Sequence, residues 1–581
     1  MSKTRNPEKK ENIMTTRFNI NPIVASLLCG CLVGLSSCSD FFEGDSESVI
    51  KTDGQVYNSE LEARAGLFGL LEGLQQVSDN YVIMGELRAD LMTTTQNSSQ
   101  ELHDIAEFNI ATDNSYLRER EYYALLNDCN YYIQHLDTTV TKLVSGRSQK
   151  YLYPYLAQAK AIRAWAYLQL CLDYGSVYYT TEPQLSTLNS QLSTLNLDAL
   201  LPLLTADLEA ALPYAAVGTE DASWAAGLAD PGFTSSVNFG DYSASQLMFP
   251  LRFVLAECYM WQQNFQQAVQ LYYQLIIDNR LRLCQYRNLY NNQGTDVTTR
   301  QWTTQFSGFN YQDILTAIVE NSDKADTRSH LYQMAYQDYT IAPSGALADI
   351  FDAQFYYTNR QISGDLRGLY GTYRLTTAAS VSDGTAVAQI TKYNSMQASS
   401  RRYVAPCRAA LLWLRYAECL NRLGKPKMTF NGLLKYGLSA YNINLYRDRP
   451  ALEGEVTGEP WMDFGQDAPD GELATLTNQT MSRGFHARGC GNTDMNEAYT
   501  IEEQSSAADS LLWVENQLID EYVLETALEG NRFHDLMRWA RYRGDNSVLA
   551  DRIAAKFPAG EQAAIRTKLM DEHNWYLPHA E

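Results

Sequence analysis

The sequence predicts a predominantly all-α protein, built from helical hairpins with long irregular insertions between them. Apolar residues recur at three- and four-residue spacing over 60–74, 115–174, 201–212, 246–278, 402–439 and 509–542. That spacing marks helices with one buried face. Three stretches also read as helix-turn-helix units: 155–174 with 201–212, then 246–278, then 402–439. The last two share a triplet, Ala256-Glu257-Cys258 and Ala417-Glu418-Cys419. Hairpins of this kind stack on their neighbours to make a continuous core, as in tetratricopeptide-like arrays. Their spacing here is irregular, so the scaffold must be interrupted.

Residues 1–37 read as a signal peptide, with Met14 an alternative start. Arg17 precedes an apolar run that closes on Leu35-Ser36-Ser37-Cys38. A basic start, an apolar core and small residues at the cut are what export requires. The run of about 15 residues is shorter than the roughly 20 a spanning helix needs. Leu-Ser-Ser-Cys resembles a bacterial lipobox, so Cys38 is expected to carry the lipid (diacylglycerol and palmitate) and to become the first mature residue. More than one acyl chain gives stable anchoring. Residues 38–55 are polar and read as the tether, and 56–581 as a single domain.

Within that domain, Leu61, Ala65, Phe68 and Leu71 form the expected apolar stripe of the first helix. Asn, Ser and Thr cluster over 93–100, which reads as loop. The helix over 155–174 keeps one flank small with Ala157, Ala161, Ala164 and Leu168, so a partner helix can approach closely; Gly175 terminates it. A seven-residue unit is written twice over 184–197, as QLSTLNS and QLSTLNL, in what reads as a surface insertion. The insertions are expected over 175–200, 282–400 and 441–507, with short strand-like pieces such as 385–393. A short helix around 548–556 follows the last long helical stretch.

Composition narrows the function. Acids outnumber bases 68 to 46, for a net charge of −22. This opposes binding to nucleic acid or electrostatic adhesion to anionic lipid, so contact with a membrane is expected through the anchor alone. Seven cysteines follow Cys38 without a CxxC pair. Most lie in apolar helical contexts, where a thiol behaves as a small hydrophobe. The seven histidines make no HExxH, and no GxGxxG, P-loop or GxSxG motif occurs, so no catalytic, metal or cofactor site is declared.

Four passages resemble the SusD/RagB family of Bacteroidetes outer-membrane nutrient-binding lipoproteins. They are the lipobox with its Ser39-Asp40-Phe41-Phe42 exit, Gly85-Glu86-Leu87-Arg88-Ala89-Asp90-Leu91, the helix Ala159 to Gly175, and the run from Glu525 to Trp539. The last is similar to the family signature E-x-x-x-E-G-x-R-x-x-D-L-x-R-W. Arg415-Tyr416-Ala417-Glu418 and Trp575-Tyr576-Leu577-Pro578 add to it. Where the family pattern has an Arg shortly before the first Glu, this chain has Asp520-Glu521-Tyr522, so a local ion pair is expected to be missing. The resemblance implies a SusD-like helical fold with four tetratricopeptide-like units on one side and insertions on the ligand side. It implies no enzyme activity. It also implies glycan delivery to a TonB-dependent, SusC-like transporter at the cell surface; the alternatives are capture of peptides or proteins, as in RagB-type members, or a structural surface lipoprotein.

The Glu525–Trp539 run mixes Glu, His, Asp and Arg, but its threes and fours are helix-face spacings that lace helices together. Arg532 is expected to pair with a buried carboxylate such as Glu529 or Glu257. The better ligand signal is aromatic: 39 Tyr, 19 Phe and 9 Trp. Rings cover the apolar faces of sugars while polar neighbours bond the hydroxyls. In the insertion over 282–312, Tyr286, Tyr290, Trp302, Phe306, Phe309 and Tyr311 alternate with Asn and Gln. Trp302 is the expected principal platform. Arg88 and Asp90, with Asn97, form a second candidate patch, and Tyr356, Tyr357, Tyr370 and Tyr373 a weaker one.

Overall fold

Four pairs of helices stack in chain order in the computed structural model, which describes residues 56–144, 147–183, 193–214, 238–239, 242–278, 306, 314–321, 329–356, 362–365, 367–368, 371–377, 386–394, 401–438, 440–462, 484–490 and 505–579. The first pair is α1 (Glu60–Gln75) with α4 (Glu119–His135). Between them run α2 (Ser78–Glu86), strand β1 (Met92–Thr94) and α3 (Gln100–Ala106). The second pair is α5 (Tyr153–Tyr174) with α6 (Leu197–Ala211), and the third is α7 (Leu251–Trp261) with α8 (Phe265–Asp278). The insertion side then supplies β2 (Ile314–Asn321), β3 (Ile341–Pro343), α9 (Gly345–Asp352), β4 (Tyr373–Thr377), β5 (Ala386–Ile390) and β6 (Arg401–Arg408). The fourth pair joins α10 (Ala409–Arg422) to a π-helical turn, Met428–Tyr436. Each pair meets the next, with α4 on α5, α6 on α7 and α8 on α10. Residues 57–581 form one unit.

The central helix α5 is buried almost all round, the state of a helix with partners on several sides. Ala157, Ala161 and Ala164 are at most 2% exposed, as the small flank requires. Gly175 ends it in the left-handed region at φ 77°, its N–H donating to the Cys171 carbonyl. The C-terminal helices α11 (Ala507–Thr526), α12 (Arg532–Arg543), α13 (Ser547–Ala555) and α14 (Ala559–Leu569) close the core, α11 on α10 and α12 on α2. Among the described residues every sheet is a two-stranded ribbon.

Several expectations need correction. The buried face of α1 is Ala63, Leu67, Leu70 and Leu74, whereas Leu61 is 74% exposed. Residues 401–408, expected as helix, form β6, paired antiparallel with β2 and irregular between Val404 and Cys407. Pro406 stands in that interval, and its missing N–H suits it to a break in the ladder. The window 115–174 is two helices separated by the ribbon Lys142–Val144 and Arg147–Gln149. Helix α6 begins at Leu197, inside the expected insertion, and Thr194–Asn196 pairs with Ser176–Tyr178 as strand. Residues 184–192 of the repeat, the leader, Cys38 and the tether lie outside the described residues. Cys129, Cys171, Cys258, Cys407, Cys419 and Cys490 are buried, as small hydrophobes are; Cys284 is outside the described residues.

The described family-like passages meet in one buried hub. The Glu525–Trp539 run is not one helix: it turns a corner between α11 and α12, with Leu528 at φ 67° and Gly530 at φ 101°. Gly530 and Gly85 touch backbone to backbone, since a Cβ on Gly85 would lie 1.8 Å from the Gly530 carbonyl oxygen. Glu86 accepts the Gly530 N–H at 2.7 Å, and the Tyr81 hydroxyl donates to Asn531 at 2.8 Å. Arg532 binds Asp90 with two bonds of 2.7 Å. Its partner is thus neither Glu529 nor Glu257. Arg415 takes Glu257 at 2.9 Å and Asp535 at 2.7 Å, and Arg538 takes Glu418 at 2.8 Å and Asp535 at 2.7 Å. In place of the expected missing local pair, Glu525 has two distant partners, Arg367 at 2.9 Å and Arg408 at 3.3 Å.

Buried carboxyls in and beside this hub set a pH dependence. Burial pushes the Glu86 carboxyl up to about 8 and Asp79 up to about 6. The folded chain therefore holds protons that the unfolded chain releases, and stability falls as pH rises from about 4 to 8. Glu418 goes the other way: burial opposes its charge, but Arg538 outweighs it and holds the carboxyl at about 2. That contribution is lost as pH falls from about 4.5 to 2. Glu86→Gln should flatten the slope between pH 5 and 7.5 by about 1.4 kcal/mol per pH unit, read by urea unfolding at a series of pH values. An unchanged slope would mean that Glu86 is ionised in the folded chain.

Candidate ligand-binding face

The large insertion leaves the scaffold after Asp278 at the end of α8 and rejoins it at β2. Phe306 is its described anchor. It is buried and lies over the Lys392 ammonium, 4.9 Å from nitrogen to ring centre. Around it Ile314, Leu331, Tyr403, Val404 and Leu528 form an apolar pocket with Lys392, Arg408 and Glu529 at its polar end. Those polar groups are mutually satisfied. Lys392 donates to Glu529 at 2.6 Å and to the Ala527 carbonyl at 2.8 Å. Arg408 grips Glu529 at 2.6 and 3.0 Å. Burial draws the Lys392 ammonium below its ordinary value, against the pull of Glu529. Only about 40 Å³ of space remains in the pocket, far below the roughly 300 Å³ at which small-ligand sites begin. The pocket fastens the insertion and is too small to take a sugar ring.

Beside it the insertion side carries a stack of rings and guanidinium groups. Tyr332 and Tyr336 lie parallel with centroids 5.2 Å apart. Arg402 sits over Tyr332 at 5.7 Å and Arg374 over Tyr336 at 5.5 Å, in the attractive range for a cation on a ring face. The Tyr336 and Tyr339 hydroxyls donate to the Ile390 and Ala388 carbonyls at 2.6 and 3.1 Å, tying the stack to β5. Strand β1 pairs antiparallel with β3. Beyond it Asn97 and Ser98 donate to the Asp338 and Thr340 carbonyls at 2.9 and 2.6 Å. The early polar loop is thereby fixed to the ring-bearing segment. Leu375, 59% exposed, marks the outer edge of the β4–β5 hairpin. Tyr332, Tyr336 and Tyr339 are only 5%, 9% and 7% exposed, so the stack is packed interior that holds this segment in place, as Tyr373 is.

Trp302, Tyr286, Tyr290, Phe309 and Tyr311 lie outside the described residues, as do Tyr357 and Tyr370 and the side chain of Tyr356. Tyr373 is a core ring, 4% exposed and 6.0 Å from Phe351. Arg88 and Asp90 are also interior, 0% and 1% exposed, which corrects their expected place on a ligand face. Arg88 pairs with Asp173 and donates to the Met84 and Trp575 carbonyls at 2.9 Å each. Burial alone would raise the Asp90 carboxyl, but Arg532 and its two hydrogen bonds hold it below the ordinary value. Charges buried this deeply persist only when paired. Of that patch only Asn97 is at the surface.

Asp365, His486 and Cys490 bring three metal-ligand atom types within 4.8 Å. Arg367 already fills a cation's role there. Its Nε and Nη2 bind the two Asp365 oxygens at 3.0 and 2.7 Å, and its Nη1 reaches Glu521 at 2.8 Å. The Cys490 thiol donates to Asp365 at 3.2 Å, and His486 contacts Glu521 at 3.0 Å. The cluster is a buried ionic joint between the 362–368 turn, the 485–490 helix and α11. Arg367 was missed in the sequence: it stands two residues from Asp365 but more than 150 from Glu521 and Glu525, as Arg408 and Lys392 stand more than a hundred from Glu525 and Glu529. No local spacing signals the long-range pairs.

No family model matches the sequence, and no curated protein matches it. Solved structures do. A SusD superfamily protein from Bacteroides vulgatus is 13% identical, with a TM-score of 0.57, over 90% of this chain and 96% of that one. One from Bacteroides thetaiotaomicron is 16% identical, with a TM-score of 0.54, over the same shares. A SusD-like carbohydrate-binding protein from Bacteroides fragilis is 16% identical, with a TM-score of 0.51, over 84% of this chain and 88% of that one.

Proposed function

This chain has the SusD-like fold, and we propose that it is a member of the SusD/RagB family, an outer-membrane lipoprotein displayed at the cell surface. On this reading it binds an oligo- or polysaccharide without turning it over and passes it to a TonB-dependent, SusC-like transporter. The observation that carries the reading is the fold likeness over nearly the whole chain, which includes a protein described as carbohydrate-binding. The 282–312 insertion, where aromatic residues alternate with Asn and Gln, suits a polyol. The paired state of the signature acids and bases gives them a structural task and leaves none poised for hydrolysis.

The experiment is calorimetry of Trp302→Ala beside the unaltered chain with a glycan ligand. A ring stacked on a sugar behaves as a hot spot, so truncation should cost about 2 kcal/mol, a loss of affinity of roughly thirtyfold. The melting temperature should hold, because insertions tolerate change better than cores. Unchanged affinity removes Trp302 from the site, and a large drop in melting temperature makes it a core ring. The anchor is tested separately. Cys38→Ala should abolish metabolic lipid labelling and leave the chain unanchored; intact labelling of that variant would refute the assignment.

A further inference from the structure

A groove runs between α1 and α4 on the first helical pair. Its volume is about 650 Å³, inside the roughly 300–1,000 Å³ range of small-ligand sites. The two helices are antiparallel here, since Gly66 faces Tyr132 and Gly73 faces Leu125. Ala65, Gly69 and Glu72 line the groove from α1, and Glu121, Asp128 and Tyr131 from α4. Both sets recur at three, four or seven residues, so each lies on one face of its helix. Tyr57, just before α1, packs on Tyr132 with centroids 4.8 Å apart and so lines the Tyr131 end. Tyr57 and Tyr131 are both partly exposed.

Packing does not account for two features of this groove. The first is the glycine at 69. A Cβ on Gly66 would meet the Tyr132 ring at 2.5 Å, and one on Gly73 the Leu125 side chain at 2.9 Å, whereas one on Gly69 meets nothing within 4 Å. Glycine inside a helix is destabilising relative to alanine, so position 69 keeps the floor open at the helix's expense. The second feature is charge. Glu72, Glu121 and Asp128 line the groove, and no lysine or arginine does so among the described residues. The Glu121 and Asp128 side chains have neither an ion pair nor a hydrogen bond among the described residues. They stand on one helix face, about 10 Å apart along its axis. Partial burial raises the Asp128 carboxyl above its ordinary value, and a cation beside it is attracted more strongly than at an open surface.

We propose that this groove binds an organic cation carrying two or more amines, with its ammonium groups on Asp128 and Glu121 and its carbon chain over the open floor at Gly69. Carboxylates bond ammonium groups strongly, and the Tyr57 and Tyr131 rings at one end attract the same charge. The inference rests on the first helical pair alone and stands whether or not the insertion binds glycan. Two sources share the chemistry, a free polyamine and the lysine side chains of a peptide.

The test is calorimetry on the full chain with spermidine and with an acetylated, amidated lysine tripeptide, at a physiological salt that screens exposed charges beyond about 8 Å. One of the two should bind saturably at a single site. Gly69→Leu leaves every charge in place and fills the floor, so it should weaken binding by about tenfold or more. Its melting temperature should not fall, because the new side chain meets open space and leucine favours helix over glycine. Asp128→Asn removes one carboxylate at nearly constant shape and should also weaken binding by about tenfold. Should Gly69→Leu melt early, Asp128→Asn decides alone. Tighter binding of spermidine assigns a free polyamine, and tighter binding of the tripeptide assigns lysine side chains. Absence of saturable binding by either probe overturns the proposal. So does binding that the variants leave intact, which is then general attraction to a chain of net charge −22.

Discussion

Arg532→Ala should lower the unfolding free energy by about 3–5 kcal/mol, because it strands the buried Asp90 carboxylate. Both members of the pair are at most 3% exposed and share two bonds of 2.7 Å. Arg532 also donates to the Ile519 carbonyl at 3.0 Å, so the same side chain fixes the corner between α11 and α12. The loss reflects an unpaired buried charge more than the net worth of the pair. Replacing both partners with apolar residues, Arg532→Met with Asp90→Leu, should therefore destabilise by less than the two single changes added together. Urea unfolding followed by circular dichroism reads all four proteins. A loss below about 1 kcal/mol for Arg532→Ala, the scale of an exposed pair, would place this arginine at the surface.

Arg367→Met should cost at least as much. This guanidinium binds Asp365, Glu521 and Glu525 at 2.7–2.9 Å, with all four side chains at most 1% exposed. Without it Glu525 keeps Arg408 and Glu521 keeps His486, while Asp365 is left with the Cys490 thiol. The expected loss at pH 7.5 is about 3–5 kcal/mol. It should shrink toward pH 5, because an unpaired buried carboxyl has a raised folded pKa. Such a group takes up a proton on folding, so the stability it leaves falls as pH rises. Equal losses at both pH values would contradict the assignment of Arg367 as the joint's cation.

The helical hairpins were legible because their apolar spacing is long and regular. Orientation was less so. On α1, Leu61, Ala65, Phe68 and Leu71 and the truly buried Ala63, Leu67, Leu70 and Leu74 are interleaved stripes of equal spacing, and α4 decides between them. Arg88 and Asp90 were placed on a ligand face because the family resemblance brings this early region toward it. Their burial is dictated by Asp173 and Arg532, far along the chain. The structural role of the Glu525–Trp539 run was readable from its mix of opposite charges. The identity of each partner was not, since ion pairs across a helix stack leave no local trace. Strand β6 was masked by running directly into α10, although Pro406 argued against helix there. Phe306 was named among ligand rings and anchors the insertion instead, because an aromatic flanked by Asn and Gln serves a small core as readily as a sugar.

The most direct measurement is a binding array that presents glycans and extended peptides side by side to the mature chain. The glycan-binding account predicts saturable retention of one glycan class, with peptides left unbound. Retention of peptides alone, or of neither class, would contradict it.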